Sequence, residues 1–425
     1  MGNYLMMGKG ELLEEKAQLW QIYEQYVARN LKLDMSRGKP CKEQLDLSMD
    51  MLKLEPADYI GETGIDSRNY GCLEGIPEAR RLFGEMMGVS SNEVLVGGNS
   101  SLNLMFDVIA MGCRNGFPES DTPWGVCANR KFICPAPGYD RHFRVSEYFG
   151  FELVSVRMSE TGPDMDAVEE LIQDPSVKGI WCVPTYSNPD GYCYSDETVH
   201  RLAAMQPAAK DFKIFWDDAY VVHFFGDEPD RVMNLLNECR RCGTENRPVL
   251  FCSTSKITFP GAGVAALAAS KETLDYILKN MFPRTISFDK MNQMRHVKFL
   301  KNMDGVLAHM EKHKRIINPK FSTVLRELAE QLQPCGDIAH WTKPRGGYFV
   351  SLYAMPGCAK RTIELCKNAG VVLTSAGAAY PYGIDPDDSN IRIAPTFPPV
   401  DELALAAKLL CVSLRIATIE KLLEA

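Results

Sequence analysis

Loops that follow runs of β-forming residues carry the side chains of this 425-residue chain that are suited to chemistry. Lys256 comes directly after VLFCSTS, with Ser253 and Ser255 beside it, and Asp217 and Tyr220 belong to the segment DDAY after FKIFW. A lysine amine can form a Schiff base with a carbonyl group, and a nearby acid and phenol can bind polar groups of the same molecule. These residue types make Lys256 a candidate for covalent chemistry.

A second loop, GGNSSLN, stands between the run EVLVG and the helical run LNLMFDVIAMG. Backbone N–H groups of Gly98, Asn99 and Ser100 at the start of that helix can bind a phosphate, because helix N-termini attract anions. Plain helix capping by Asn99 or Ser100 is the competing interpretation, and capping and phosphate binding can coexist.

The elements that position these loops alternate along the chain. From about residue 92, short β-rich runs alternate with segments of helical periodicity, which predicts a mostly parallel α/β sheet. In such a sheet the loops at the carboxyl ends of the strands form the ligand crevice. A helix is predicted over 12–30 and a helical stretch over 290–320, followed by a second pattern of strands and helices that indicates a smaller α+β domain.

Composition narrows the function. Apolar residues make up 45% and charged residues 24%, as in ordinary globular proteins, and the net charge of −8 disfavours binding to nucleic acid or anionic lipid. The sequence lacks an apolar run of membrane-spanning length, and its start is too acidic for a signal peptide, so we expect a cytoplasmic protein without membrane partners. The charge favours small-molecule chemistry.

Fourteen cysteines are scattered along the chain and are expected to be free thiols. Cys239 and Cys242 form a C-x-x-C pair, but no second pair follows at zinc spacing. We therefore expect no metal and assign the pair no role.

The ordered set of motifs resembles one enzyme family. SNPDG with Asn188, DDAY and the lysine segment follow one another in register, and matches extend from SRGKP at 36–40 to NIRIAPTFPP near the C-terminus. The chain resembles class I, fold-type I aminotransferases that use pyridoxal 5'-phosphate (PLP), most closely aspartate aminotransferase-like proteins related to the catalytic domains of MocR regulators. The resemblance implies a large PLP-binding α/β domain over 49–315, with a mostly parallel seven-stranded sheet. It also implies a discontinuous small α+β domain over 1–48 and 316–425.

The resemblance also implies roles at the cofactor ring. Lys256 would hold PLP as a Schiff base and shuttle a proton, and Asp217 would pair with the pyridine nitrogen. Asp218 fits less well, because the family acid lies three residues before the tyrosine. Tyr220 and Asn188 would donate to the phenolic oxygen.

Further cofactor contacts are implied around the ring and the phosphate. Tyr139 would stack on the pyridine, with His142 behind the aspartate, and the hydroxyls of Ser253 and Ser255 would bind the phosphate. Tyr70, in NYGCLEG, matches a tyrosine that reaches the phosphate of the neighbouring subunit, which implies a homodimer with shared active sites. A core or surface tyrosine is the alternative.

Substrate contacts are implied near both ends of the chain. Arg392 matches the arginine that binds the substrate α-carboxylate, a role suited to a planar bidentate donor, with Asn188 also at the substrate. Gly38 would add a backbone N–H, or be a simple turn glycine. Arg37 and Arg141 are candidates for a distal carboxylate, and either could equally be a surface arginine.

One position departs from the family pattern. Eight residues after the lysine, where family members carry an arginine for the phosphate, this chain has Val264. Serines, backbone dipoles and another cation such as Lys290 would complete the cradle, or the cofactor is held less tightly.

The expected activity is amino transfer between an L-amino acid, with aspartate or glutamate as first guesses, and a 2-oxo acid such as 2-oxoglutarate. Other reactions on the same scaffold, β-elimination or decarboxylation, stay open, because the cofactor carries the chemistry. A PLP-dependent regulator would need a DNA-binding domain before the core, and only about 35 residues precede SRGKP, without a helix-turn-helix unit.

Overall fold

The computed structural model describes residues 2–424, which divide into two compact units. The large unit is Glu43–Ser187 with Tyr192–His313, and the small unit comprises the residues up to Lys42, Asn188–Gly191 and the residues from Lys314 onward. The main divisions lie close to the expected ones at 48 and 315. The sequence puts 188–191 in the large domain, and this differs from the structure.

Packing explains why this short segment belongs to the small unit. The carboxylate of Asp190 accepts a hydrogen bond of 2.6 Å from the Tyr353 hydroxyl. A side chain at Gly191 would place its Cβ 2.5 Å from Pro344, so the backbone there lies directly against the small unit. Contacts between residues so distant in sequence leave no local pattern.

The strands, in chain order, are β1 Leu33–Asp34, β2 Val94–Val96, β3 Lys131–Ala136, β4 Glu152–Ser159, β5 Gly162–Pro163, β6 Val177–Cys182, β7 Lys213–Asp217, β8 Pro248–Ser253, β9 Ala265–Ala268, β10 Ala339–Trp341, β11 Val350–Ala354, β12 Val371–Val372 and β13 Asn390–Ile393. The α-helices are α1 Lys9–Ala28, α2 Lys42–Asp46, α3 Pro77–Met87, α4 Ser101–Asn115, α5 Asp140–Tyr148, α6 Met165–Leu171, α7 Asp196–Ala204, α8 Leu235–Cys242, α9 Lys271–Met281, α10 Lys290–Leu300, α11 Met303–Leu332, α12 Ala359–Asn368 and α13 Val400–Glu424. Among residues 2–424, no helix combines the length and the apolar content that a membrane span requires.

The large unit is built on one sheet with the strand order β2-β9-β8-β7-β6-β3-β4-β5. The five central strands β8, β7, β6, β3 and β4 run parallel, and β9 runs antiparallel to both of its neighbours. Seven of these strands form the mostly parallel sheet that the family resemblance implies. The eighth, β5, is a two-residue strand that pairs antiparallel with β4, and it is too short to leave a periodic signal.

Continuous apolar runs form the centre of this sheet. Every residue of β7 and of β8 is buried, as expected for parallel strands with helices on both faces. The ring of Phe215 in β7 lies 5.6 Å from that of Phe132 and 5.8 Å from that of Phe251, measured between centroids. This core fixes the strand ends from which the chemical loops emerge.

The small unit contains an antiparallel sheet, β10-β11-β13, and a parallel pair, β1-β12. Helices α1 and α12 pack against the C-terminal helix α13. Arg392 lies in the edge strand β13 and pairs in register with Ser351 of the central strand β11.

Helix ends differ from the predicted ones for local reasons. Helix α1 starts at Lys9, because the Glu11 side chain accepts a hydrogen bond from the Gly8 backbone, and it ends at Ala28. The predicted stretch over 290–320 is two helices, because Lys301 adopts a φ of 67° and ends α10.

Candidate active site

Lys256 lies in the turn that follows β8. It is partly buried, and its ammonium group is 4.8 Å from the centroid of the Tyr220 ring. Burial lowers the pKa of Lys256, and the nearby Asp217 carboxylate opposes that shift. Burial therefore favours the neutral amine, which is the form that attacks a carbonyl group.

Asp217 ends β7 and is 3% exposed. Its Oδ2 is 3.0 Å from Nε2 of His142, whose ring stacks on Trp181 with 4.3 Å between the centroids. Its Oδ1 is buried and has no hydrogen-bond partner within residues 2–424. Buried carboxylate oxygens are normally satisfied, so this atom fits a donor from a bound molecule, as the protonated nitrogen of a pyridine ring would be.

The next residue, Asp218, has different surroundings. Burial raises the pKa of Asp218 to about 7, with a smaller contribution from the charge of Asp217, while a hydrogen bond with Thr185 opposes the shift. Asp218 and Thr185 line a cavity of about 850 Å³ to which neither Asp217 nor Lys256 contributes. The two adjacent carboxyl groups thus have different surroundings, because successive side chains of an extended strand point to opposite faces.

The loop before α4 offers polar groups at the N-terminus of a 15-residue helix. The Ser100 hydroxyl caps the helix, and Gly98 adopts a φ of 70° with open space where a Cβ would be. Ser253 donates to the Ser255 hydroxyl at 3.1 Å, and Ser255 donates to the carbonyl of Asn99 at 3.5 Å. These loops fit a phosphate, because hydroxyls and a helix N-terminus both stabilise an anion.

Val264 is buried and contributes no charge to these loops. Its backbone N–H donates to the Thr254 hydroxyl at 2.9 Å, and its carbonyl accepts from the Thr254 backbone at 2.8 Å. Where the family has an arginine, this chain therefore has an apolar side chain, and the backbone N–H and carbonyl of Val264 are both hydrogen-bonded to Thr254.

In the small unit, Arg392 has neighbours that suit carboxylate binding. Its guanidinium donates to Oδ1 of Asn188 and to the Thr374 hydroxyl, both at 3.4 Å, and lies 5.0 Å from the Phe349 ring centroid. A Cβ on Gly38 would be 2.6 Å from that phenyl ring, so a glycine is needed there. The structure thus brings Arg392 and Gly38 to one aromatic side chain, with Asn188 hydrogen-bonded to Arg392.

Four further predicted residues are less constrained. Tyr139 precedes α5, with its ring edge-on to His142 at 4.9 Å between centroids. Tyr70 is 80% exposed, and Arg37 and Arg141 are also exposed. Their suggested contacts with a cofactor or substrate stay predictions.

Sequence reasoning missed His223, which is buried in the large unit beside Lys256 and Tyr220. Burial, with a smaller contribution from the charge of Lys256, lowers the pKa of His223 to about 3. The imidazole is therefore neutral at physiological pH and adds no cation near the lysine. Its spacing of three residues from Tyr220, within an apolar segment, was the available signal.

All fourteen cysteines are free. Ligand atoms of Cys242, His200 and Glu238 lie within 4.8 Å of one another. Glu238, however, accepts from His200 at 2.8 Å and from Arg241 at 3.1 Å. Ordinary ion pairing accounts for this cluster, and Cys239 is buried.

The chain is similar to known proteins over nearly its whole length. The family model described as aspartate amino-transferase matches residues 7–425. An aspartate aminotransferase of Corynebacterium glutamicum is 46% identical over 385 residues, which are 90% of this chain and 89% of the relative. The crystal structure of an aspartate transaminase from the same species has a TM-score of 0.95 at 43% identity and covers 97% of each chain.

A more distant structure shares the fold alone. The alpha-aminoadipate aminotransferase of Thermus thermophilus, complexed with N-(5'-phosphopyridoxyl)-L-leucine, has a TM-score of 0.73 at 22% identity, covering 93% of this chain and 95% of that one. With the family model spanning nearly the whole sequence, the chain belongs to the aspartate aminotransferase family and is a PLP-dependent aminotransferase.

Proposed function

We propose that the enzyme transfers the amino group of aspartate or glutamate to a 2-oxo acid such as 2-oxoglutarate. One observation carries the assignment of the reacting groups: the large unit holds a lysine with a lowered pKa near a buried aspartate that keeps one oxygen without a partner. The preference for aspartate is supported by the name of the Corynebacterium glutamicum relative.

Bound PLP supplies an electron-withdrawing ring that makes the substrate Cα–H bond acidic. Oδ1 of Asp217 would accept a hydrogen bond from the ring nitrogen, and His142 holds the other oxygen in place. Tyr220 and Asn188 would donate to the phenolic oxygen, and Tyr139 would lie against the ring. A carboxylate can accept a hydrogen bond, and a phenol hydroxyl and a side-chain amide N–H can donate one, as the roles of Asp217, Tyr220 and Asn188 require.

Lys256 carries the proton transfers. Its neutral amine would hold the cofactor, and the same Nζ would take a proton from the substrate Cα. Burial favours this neutral form of Lys256. The His223 ring nearby is also neutral, so it adds no positive charge beside the lysine.

Arg392 would bind the substrate α-carboxylate, with the backbone N–H of Gly38 as a second donor. Arg392→Ala should raise KM about 100-fold with a smaller change in kcat, because a carboxylate contact is made in both the ground state and the transition state. Arg392→Lys keeps the charge but loses the bidentate geometry, so its KM should lie between that of the native enzyme and that of Arg392→Ala. An unchanged KM in both variants would reject this role.

We propose further that the enzyme is a cytoplasmic homodimer in which Tyr70 of one protomer reaches the phosphate of the other. The Tyr70 side chain is 80% exposed and is therefore accessible to a second protomer, as this assignment requires. Inactive Tyr70→Ala and Lys256→Ala chains, refolded together, should regain activity, since mixed dimers contain one intact site. If the mixture stays as inactive as each parent, the sites are not shared.

Substrate choice is tested with a panel of amino donors and 2-oxoglutarate, with glutamate as the measured product. Aspartate should give the highest kcat/KM. A faster aromatic or aminoadipate donor would overturn the aspartate assignment, and pyruvate with ammonia from cysteine would indicate β-elimination instead.

A further inference from the structure

Lys290, the first residue of α10, is a buried residue whose charge has no partner within residues 2–424. It is 2% exposed, and its ammonium makes no hydrogen bond or ion pair with the residues that the structure describes. The other lysines that are buried to this degree are both satisfied: Lys213 contacts Glu119 and a backbone carbonyl, and Lys320 donates to the carbonyl of Thr396 at 2.8 Å. Its Nζ is not among the fully enclosed polar atoms that lack a partner, so the end of this otherwise buried side chain reaches an open space. A cation in such surroundings is stabilised by an anion, and Lys290 is therefore a candidate to bind one.

The residues on either side of Lys290 attach the start of α10 to two loops. The Phe288 ring fills the space beside Gly97, where an added Cβ would lie 2.4 Å from it. The Asn292 side chain donates to the carbonyls of Ala262 at 2.9 Å and Gly263 at 3.1 Å. Lys290 is therefore held between contacts to the loop before α4 and the loop before β9.

These two loops meet at the candidate phosphate site. A Cβ on Gly263 would lie 3.2 Å from the carbonyl oxygen of Asn99 and 3.3 Å from the backbone nitrogen of Ser255. The groups offered there, hydroxyls and backbone N–H groups, are neutral, and position 264 brings a valine. The N-terminus of a helix contributes roughly half a positive charge, which is less than a phosphate dianion requires.

We propose that Lys290 is the cation that binds the cofactor phosphate in this chain. It would replace the arginine that family members carry at the position of Val264. The inference rests on the proposed PLP site. It gives a role to a lysine that is 2% exposed and has no acidic partner within residues 2–424, and it supplies a cation to the candidate phosphate site.

Two aldehydes that differ only in the phosphate test this role. Apoenzyme is titrated with PLP and with pyridoxal, which lacks the phosphate, and the dissociation constants are measured by absorbance for the native protein and Lys290→Met. PLP should bind the variant about 10- to 100-fold more weakly, the range expected for a lost charged hydrogen bond, while the pyridoxal constant changes less than about twofold. Lys298→Met is the matched control: it lies on the same helix, its side chain is 45% exposed, and PLP binding should be unchanged.

The outcomes separate the inference from the proposed site itself. Equal weakening of PLP and pyridoxal, or no weakening of either, would overturn the role of Lys290. If the native protein binds PLP without a borohydride-reducible link to Lys256, the proposed cofactor site fails instead.

Folding of the variant is checked independently. Should Lys290→Met lose its native circular dichroism, Lys290→Gln and Lys290→Arg are titrated in its place. The arginine variant should keep PLP affinity within about tenfold of native, because it retains the charge, and the glutamine variant should not. Inorganic phosphate should raise the Tm of the native apoenzyme and not that of the glutamine variant, and the same rise in both would also reject the role.

Discussion

Strand β7 begins and ends on a buried ionisable residue, and its two ends are built differently. Lys213 at its start is 1% exposed, donates to the carbonyl of Asn246 at 2.6 Å and pairs with Glu119 at 3.1 Å. Asp217 at its end is 3% exposed, yet one of its oxygens has no partner in the described part of the chain. The ammonium at the first end therefore has both an acidic and a carbonyl partner, whereas the carboxylate at the second end has one oxygen without a partner among the described residues.

The same contrast extends along the sheet. At the amino end, the Asp211 carboxylate accepts from Ser120, Trp124 and Lys178 at distances of 2.7 to 3.0 Å. Burial lowers the pKa of Lys213 at the amino end and of Lys256 at the carboxyl end alike, so the contrast lies in Asp217, whose Oδ1 accepts no hydrogen bond from the described residues. Completed buried ion pairs serve the fold, whereas incomplete ones mark the place where a ligand belongs. The two ends should therefore respond in opposite ways to substitution.

The largest effect is expected at the carboxyl end, for Lys256→Ala. The variant lacks both the covalent attachment and the proton carrier, so kcat should fall about 10⁴-fold while the Tm of the apoenzyme changes little. Borohydride reduction followed by peptide mapping checks the attachment. Lys271→Ala, at an exposed lysine, should keep full activity, and a reduced adduct on another lysine would refute the assignment.

A smaller loss of activity is expected for Asp217→Asn. The amide keeps the shape but cannot balance a protonated ring nitrogen, so kcat should fall about 10²- to 10³-fold. Because Oδ1 has no partner to lose within the described residues, the apoenzyme should be nearly as stable as the native one. A large loss of apoenzyme stability with normal kcat would make Asp217 a structural residue and remove the contrast.

The reverse is expected for Lys213→Met at the amino end. Removing the ammonium takes the partner of Glu119 away and leaves the Asn246 carbonyl with only the Thr273 hydroxyl at 3.4 Å, which should lower the free energy of unfolding by about 2–3 kcal/mol. Activity per folded molecule should be unchanged. Urea denaturation measures the loss, with Lys210→Met as control, since that lysine and its partner Asp121 are both exposed and the change should be below about 0.5 kcal/mol.

Much of this arrangement could be predicted from the sequence, because it follows from local patterns. The apolar runs of β7 and β8 fix two parallel neighbours, and parallel neighbours bring Asp217 and the loop of Lys256 to the same edge. The proposed roles of individual residues came from the family resemblance, since periodicity alone identifies a loop and not its ligand.

The remainder depends on contacts between distant segments. The membership of Asn188–Gly191 in the small unit, the burial of His223 and the isolation of Lys290 have no counterpart in composition or spacing. Whether a buried charge has a partner is a property of the packed structure, and this property separates Lys213 from Lys290.

The smallest effect tests the carboxyl next to the active-site acid. Asp218 has a folded-state pKa of about 7, above its ordinary 3.8, so between these pH values the folded protein holds a proton that the unfolded chain has lost. Stability therefore falls as pH rises through that window, and Asp218→Asn should remove this part of the fall. From pH 5 to pH 8 the variant should gain about 1–2 kcal/mol of unfolding free energy relative to the native protein, a discounted value because the residue is partly exposed. Glu228→Gln, at an exposed carboxyl on the same cavity, should show no such gain. If the difference in unfolding free energy between Asp218→Asn and the native protein is the same at every pH in this range, Asp218 ionises normally. The two adjacent carboxyl groups at this strand end would then differ less than their surroundings indicate.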